Sequence, residues 1–527
     1  MTASDSVEIE LKLALPPQQV EAFLKLMARR RSAPVQQVLV TRYFDTPDFA
    51  LSAQGVALRV RRVGRRWLQT LKTEGERRGG LSRRAEYEMA VTRGSPDWTR
   101  FPAEAQAWVP EALRAQLAPV FETRFHRTAW LIKGRGGAQI EVALDVGEVR
   151  AGECSQPICE IELELKAGQP DALFALALAW AGRLDCLPFD VSKAERGVRL
   201  AHGEGAEPLK SVPLELDRAM SVEDGFAAIV QACLAQFQVN LPGVLFPLPN
   251  PPPQAGEGMN EMPKPINDIE YVHQARVALR RLRAALRQYR RVCVPPDESM
   301  DGLRALAGAL GAARDWDVLC DETLPAIAPH YPDADAWKHG TQALQAHRAE
   351  VRAAMQATII QARPGAWLLA LQRWLLLRGW RAVPEAQRFI QLSPLKKWAG
   401  RVLQKGHRPI VRGARDFGQL QAAQRHALRI AVKRQRYAAE FFQTLFGGRR
   451  QARYLAVLRD AQDSLGRSND VRVAWGLLTT PTTPHVFQNA GPMRDFALGW
   501  LAAQQAEAAD GESAGPMRAF LKLKPYW

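Results

Sequence analysis

The chain has 527 residues and only six cysteines, no two of them spaced as Cys-x-x-Cys. That is too few, in too long a chain, for a disulfide scaffold; reduced thiols in a cytosol are the simple expectation. Long apolar runs are also missing. The most apolar stretch, Trp367 to Trp380, is interrupted by Arg373 and Arg378 and is too short and too charged to span a bilayer. The sequence opens into a charged strand rather than an apolar leader, so the expectation is a cytoplasmic protein with no membrane partner. Neither a Walker loop nor His-Glu-x-x-His is present, which removes two common phosphate- and metal-dependent chemistries. Aromatics are sparse in the basic segments, where Tyr289 and Tyr437 stand alone, so no specific nucleic-acid partner is expected.

What is present is charge. The formal net charge is +16, which points to an anionic partner. It is unevenly spread. Residues 1–202 hold 29 Lys and Arg against 25 Asp and Glu, and the remainder holds 42 against 30. The basic excess belongs to the C-terminal part.

In the N-terminal part the charges alternate with apolar residues. Val7 to Leu13 places Glu8, Glu10 and Lys12 on one face of a strand and Val7, Ile9, Leu11 and Leu13 on the other. The pattern returns in Val56 to Val63 with Arg59 and Arg61, and in Trp67 to Lys72. It returns again in Ala85 to Val91 with Glu86 and Glu88, and in Phe121 to Ile132 with Arg127. Gln139 to Val149 carries Glu141 and Asp145, and Ile158 to Lys166 carries Glu160, Glu162 and Glu164. One such strand is an ordinary half-buried strand. The repetition is different, because like charges side by side repel on a plain surface. Clustered carboxylates are tolerable around a divalent cation, and clustered Arg and Lys around phosphates. The ensemble predicts a closed sheet with its charged face inward and its apolar face covered by helices, one of them from Pro16 to about Arg31. Gly75 to Gly80 is expected to be a polar loop.

These stretches, together with Tyr43-Phe44-Asp45-Thr46 and Ser192-Lys193, resemble in order the CYTH family, also called the triphosphate tunnel metalloenzymes. The segment Gly79 to Glu86 resembles the inorganic triphosphatase branch more than the cyclase branch. The resemblance implies an eight-stranded antiparallel β tunnel that hydrolyses a linear triphosphate with Mg²⁺ or Mn²⁺. By position it implies Glu8, Glu10, Lys12 and Lys72 as catalytic residues. Arg59, Arg61, Arg127 and Lys193 would bind the substrate, and Glu8, Glu10, Glu162, Glu164, Asp145 and Glu88 the metal.

Past a polar linker at 203–218 the periodicity becomes helical, with a Pro/Gly-rich loop at 253–268. A repeat at an offset of 153 positions aligns His273, Arg276, Arg280 and Arg283 with His426, Arg429, Lys433 and Arg436. Downstream, Asp315 aligns with Asp470. The cations share one helical stripe in each copy, largely without carboxylates at i+4 to neutralise them. A third basic stripe runs from Lys397 to Arg415. The repeat resembles the CHAD family, the conserved histidine α-helical domain. That resemblance implies two helical bundles whose basic surface, with those eight residues, binds inorganic polyphosphate.

The expected architecture is thus α+β with two domains. A tunnel at 1–202 is followed by an all-α duplicated helical bundle at 219–527. The expected partners are inorganic triphosphate and long-chain polyphosphate, and granule association would extend the cytoplasmic placement. Two alternatives stand beside this reading: a triphosphatase for thiamine, nucleoside or RNA triphosphates, and a polyphosphate-binding protein without catalysis.

Overall fold

The structure, a computed structural model, describes residues 7–30, 32–245, 268–479, 491–510 and 514–527. It divides into two compact units. The first comprises Met1–Glu207 and Arg363–Leu377, together with Phe246–Ile266, which lies outside the described residues. The second comprises Pro208–Leu245, Asn267–Ala362 and Arg378–Trp527. The Pro/Gly-rich loop expected at 253–268 also lies outside the described residues, apart from Asp268, which starts a helix.

Ten strands build the first unit: β1 (Val7–Ala14), β2 (Val35–Asp45), β3 (Ala57–Val63), β4 (Arg66–Lys72), β5 (Glu76–Arg78), β6 (Leu81–Val91), β7 (Ala118–Lys133), β8 (Gln139–Ala151), β9 (Cys154–Ala167) and β10 (Leu187–Pro188). Eight of them run antiparallel in the order β1-β9-β8-β7-β2-β3-β4-β6, and β6 pairs back onto β1. Closure leaves no long unpaired edge. The short strands β5 and β10 hang on β6 and β1. The stretch Gly75 to Gly80 is therefore not all loop. Glu76–Arg78 pairs with β6, because Gly79 and Gly80, at φ 64° and 86°, turn the chain tightly enough for a hairpin.

The apolar faces point outward and are covered, as the alternation requires. Leu11, Leu13, Val142, Ile161 and Leu163 are fully buried in a cluster with Phe23, Met27, Phe174 and Trp180 from the helices Val20–Ala28 and Asp171–Ala181. The first of these helices ends at Ala28, short of Arg31, because Phe23 and Met27 are its last anchors in the core. A second cluster, around Leu51, Leu58, Val60 and Leu71, closes the opposite wall. With its outer faces sheathed, the sheet keeps its charged face for the bore.

The second unit is all-helical. Its long helices are Val222–Leu245, Asp268–Tyr289, Asp297–Val318, Ala334–Gln361, Leu395–Arg415, Ala422–Phe441, Arg449–Thr479 and Gly491–Asp510. Val222–Leu245 is long and apolar enough to cross a membrane, but two thirds of its apolar window is buried, with Phe226, Ile229, Leu234 and Phe237 in the interior. It is packed as a core helix. The repeat aligned in the sequence falls on corresponding helices, Asp268–Tyr289 with Ala422–Phe441, and these pack on each other.

Candidate active site and anion sites

Cross-strand register decides which side chains meet inside the tunnel. Glu10 stands opposite Glu164, and Glu164 opposite Glu141, so three carboxylates form one row across β1, β9 and β8. The next row in is Lys12, Glu162 and Ala143, and the row behind it brings Glu160, Asp145 and Arg127 together. On the far arc, Arg59 and Arg61 of β3 lie beside Tyr43 and Thr41 of β2. Lys72 of β4 faces Glu86, and Glu8 faces Arg84. All of these residues except Thr41, Asp145 and Glu160 line a cavity of about 440 Å³. One arc is mainly acidic and the other mainly basic.

Each sign partly neutralises the other. Lys72 Nζ donates to Glu8 Oε2 at 2.7 Å, and Arg84 Nε donates to the same oxygen at 3.0 Å. Burial alone would raise the Glu8 carboxyl, but Lys72 and Arg84 outweigh it and hold the group far below the usual range. Arg127 donates to Asp145 at 2.7 and 2.6 Å and also to Glu162. Lys193, the first residue of the helix Lys193–Ala201, is directed into the bore by the cap at Ser192, whose hydroxyl accepts from the Glu195 N–H. Its ammonium donates to Asp145 at 2.6 Å, to Glu162 at 2.8 Å and to Glu160. Despite burial, these carboxylates push the Lys193 amine upward, and Lys193 and Arg127 hold Glu162 down.

Two places remain out of balance. Arg61 is pushed down to about 10 by burial and by the neighbouring Arg59 and Arg127. Its guanidinium Nε has Thr41 Oγ1 at 3.2 Å for a partner, not a carboxylate. Across the bore, Glu164 is raised by burial, with Glu8 and Glu141 adding to the crowding and Lys166 opposing it. A cation crowd wants an anion, and a carboxylate crowd wants a cation.

The donor set fits a divalent ion on the side of Glu8, Glu10, Glu141 and Glu164, where hard oxygen ligands are crowded and Glu164 is raised by burial and by its carboxylate neighbours. Among the described residues, the three carboxylates with oxygens mutually within 4.8 Å are Asp145, Glu160 and Glu162, but Lys193 bonds to all three. Of the six acids expected to hold metal, Glu8, Glu10, Glu88, Glu162 and Glu164 line the cavity. Asp145 lies fully buried behind it, on Arg127 and Lys193. Glu88 stands opposite Thr70 and accepts from its hydroxyl at 3.0 Å. All the expected catalytic and substrate residues line the same cavity: Glu8, Glu10, Lys12, Lys72, Arg59, Arg61, Arg127 and Lys193. Arg84, Glu141, Lys166 and Tyr43 line it as well without having been assigned a role. The signal for Arg84 was its position two residues before Glu86, on one face of a strand that starts at Leu81 rather than Ala85.

The helical unit holds a cavity of about 540 Å³. His273, Arg276, Arg280, Arg429 and Lys433 line it, as do Arg314 and the repeat-related pair Asp315 and Asp470. Arg283, His426 and Arg436 do not. Arg283 and His426 are exposed. Arg436 is paired with Glu440 at 2.8 Å and bonds to Gln462. Burial, with Arg280 and Arg429 next to it, lowers the Lys433 amine to about 7. A Gly-x-Ser-x-Gly pattern occurs at Gly511, Ser513 and Gly515; residues 511–513 lie outside the described residues, and the described elements on either side, Gly491–Asp510 and Ala514–Leu521, are both helices.

Comparison with known proteins agrees with both halves. Residues 6–198 match the CYTH domain family and residues 228–479 the CHAD domain family. A curated relative, "Inorganic triphosphatase" of Haemophilus influenzae, is 36% identical over 196 residues, 37% of this chain and 54% of that protein. The chain thus spans about half the length of that relative. The crystal structure of the CHAD domain from the plant Ricinus communis is 30% identical, with a TM-score of 0.51 over 61% of this chain and 99% of that one. The chain belongs to the CHAD-domain family and carries a CYTH domain ahead of its CHAD domain.

Proposed function

We propose that the first unit is a metal-dependent inorganic triphosphatase, which cleaves tripolyphosphate to diphosphate and phosphate, and that the second binds inorganic polyphosphate. The observation that carries this reading is the double imbalance inside one bore. Arg61, half-buried, is crowded by Arg59 and Arg127, while Glu164 is crowded by Glu8 and Glu141. A short phosphate chain bearing a divalent ion satisfies both crowds together. The name of the Haemophilus influenzae relative supports the same substrate class.

In this reading Arg59, Arg61, Arg127 and Lys193 neutralise and orient the non-bridging oxygens, with Lys12, Lys72 and Arg84 continuing the cradle. Glu8, Glu10, Glu141 and Glu164 would hold the ion, with Glu162, Asp145 and Glu88 behind and across from them. A divalent ion there supplies Lewis-acid neutralisation of phosphate charge. Phosphoryl transfer asks mainly for positioning and charge compensation. Water attacks the terminal phosphorus in line, the bridging P–O bond breaks, and diphosphate leaves with its charge held by the basic arc. In the helical unit, the stripe of His273, Arg276, Arg280 and Arg283 and its repeat, His426, Arg429, Lys433 and Arg436, would receive polyphosphate. Arg276, Arg280, Arg429 and Lys433, which share one cavity, would form its centre.

The test is phosphate release with Mg²⁺ and with Mn²⁺ across tripolyphosphate, ATP, thiamine triphosphate and long-chain polyphosphate. Tripolyphosphate is expected to be the preferred substrate. Equal rates on all four, or none on any, would reject the substrate assignment.

A further inference from the structure

The helix Pro364–Leu376 stands far along the chain from the tunnel strands, yet it is part of the first unit. We infer that this helix is a positioning element of the tunnel: it clamps the main chain on both sides of Lys12 and the segment that delivers Lys193. The inference rests on the proposed reaction only for its kinetic readout.

Four contacts define the docking. Leu369 is fully buried in the same apolar cluster as Leu13, Leu173, Leu184 and Cys186. At Gly365 the helix backbone meets the chain next to β10 so closely that a Cβ would lie 1.9 Å from the Cys186 carbonyl oxygen. No other residue fits there without moving backbone. Gln372, 3% exposed, lies over the hairpin turn, where a Cβ on Gly79 would come within 2.3 Å of its Cδ. Arg373 grips Asp171 with two bonds, of 2.5 and 2.9 Å. The chain enters and leaves through left-handed residues, Arg363 at φ 48° and Arg378 at φ 50°. Non-glycine residues rarely adopt that conformation, and the only other one among the described residues is Phe49.

The pieces under this helix hold Lys12. The Lys12 N–H donates to the Gly80 carbonyl at 2.9 Å, and the Lys12 carbonyl accepts from the Phe189 N–H at 3.0 Å. The Gly80 N–H donates to Asp190 Oδ1 at 2.7 Å, tying the hairpin turn to the segment after β10. That segment runs on through Ser192 to Lys193. Gln372 packs on the turn at Gly79, and Gly365 on the chain at Cys186 and Leu187. Loosening the helix would therefore free two lysine-bearing segments together. Gln372 Nε2 is buried without a hydrogen-bond partner, so it is the bulk of this side chain and not its polarity that the turn uses.

The experiment compares Leu369→Ala with Leu51→Ala in the full chain. Both delete the same atoms from fully buried positions, the second in the cluster on the opposite wall. Amide hydrogen exchange at Gly80 and Phe189 is expected to speed up about tenfold or more in Leu369→Ala and to stay near wild type in Leu51→Ala. The KM for tripolyphosphate is expected to rise about fivefold in Leu369→Ala alone, with kcat within about twofold. Equal effects in the two variants, or unchanged exchange at both amides in Leu369→Ala, would reduce the helix to a merely structural role. If Leu369→Ala does not fold, Gln372→Ala and Gln372→Met decide. Faster exchange at Gly80 in the first and recovery in the second supports the clamp, and identical exchange in both overturns it. A wild-type chain that releases no phosphate would sink the reaction assignment, while the exchange comparison would still decide the clamp.

Discussion

The two cavities balance their charges differently. In the tunnel nearly every cation has a carboxylate within 4 Å, as Lys72 has Glu8, Arg127 has Asp145 and Lys193 has three. In the helical cavity Arg276 and Arg314 have Asp315 and Glu322 within 4 Å, but among the described residues Arg280, Arg429 and Lys433 have no such ion pair, and burial with Arg280 and Arg429 alongside brings Lys433 down to about 7. Of the cavity's carboxylates, Asp315 is raised by burial, with Asp470 adding to it, and Asp470 is raised by burial, with Glu322 adding to it. A preorganised field of both signs suits a transition state that needs charge held at fixed points on both the attacking and leaving sides. A group of adjoining cations without ion-pair partners, as Arg280, Arg429 and Lys433 are, suits capture of a polyanion, whose binding relieves the repulsion. The contrast fits the proposed division, with turnover in the first unit and retention in the second.

The largest expected break is at the acidic arc. Glu10→Gln removes one carboxylate from the row with Glu164 and Glu141 and is expected to lower phosphate release by about a hundredfold or more. Binding of long-chain polyphosphate should be unaffected, and measuring both in one preparation checks it. Replacing Arg276, Arg280, Arg429 and Lys433 together by Ala should do the reverse. Polyphosphate affinity is expected to fall more than about tenfold in a binding titration, with tripolyphosphate turnover unchanged. Arg61→Ala should raise the KM for tripolyphosphate about tenfold, the scale of one lost charge-assisted hydrogen bond.

The smallest effect sharpens the comparison through pH. Lys433 is charged below about 7 and neutral above it. Polyphosphate affinity should therefore fall severalfold from about pH 6 to about pH 8, and binding should take up a proton. In Lys433→Arg, whose charge persists through that range, the fall should flatten. Folding stability moves the opposite way. The unfolded chain keeps its lysine protonated to about pH 10.4, so this group's contribution to stability grows as pH rises through 7.

Period-two alternation carried most of the tunnel into view, because a strand that buries one face must present the other, and Glu8, Arg59, Glu162 and their neighbours all turn up on the bore. What alternation could not give was cross-strand partnership. Nothing local says that Glu10 stands beside Glu164, or that Lys193, a helix N-terminal residue, reaches three carboxylates from two strands. Arg84 was hidden because β6 begins four residues before the stretch that alternates most clearly, under a glycine pair that reads as loop. In the helical repeat, period 3.6 grouped His426 and Arg436 with the cations of the cavity, but a shared stripe is wider than a cavity wall. The packing turns His426 to solvent and Arg436 to Glu440. The inserted helix Pro364–Leu376 was invisible for a simpler reason. An apolar helix looks the same in sequence whichever unit it packs in.

The most direct measurement follows both activities while divalent metal is withdrawn by EDTA from the full-length chain. The account predicts that tripolyphosphate hydrolysis stops and returns on adding Mg²⁺ or Mn²⁺, while long-chain polyphosphate stays bound throughout. Loss of both together, or persistence of hydrolysis without metal, would contradict it.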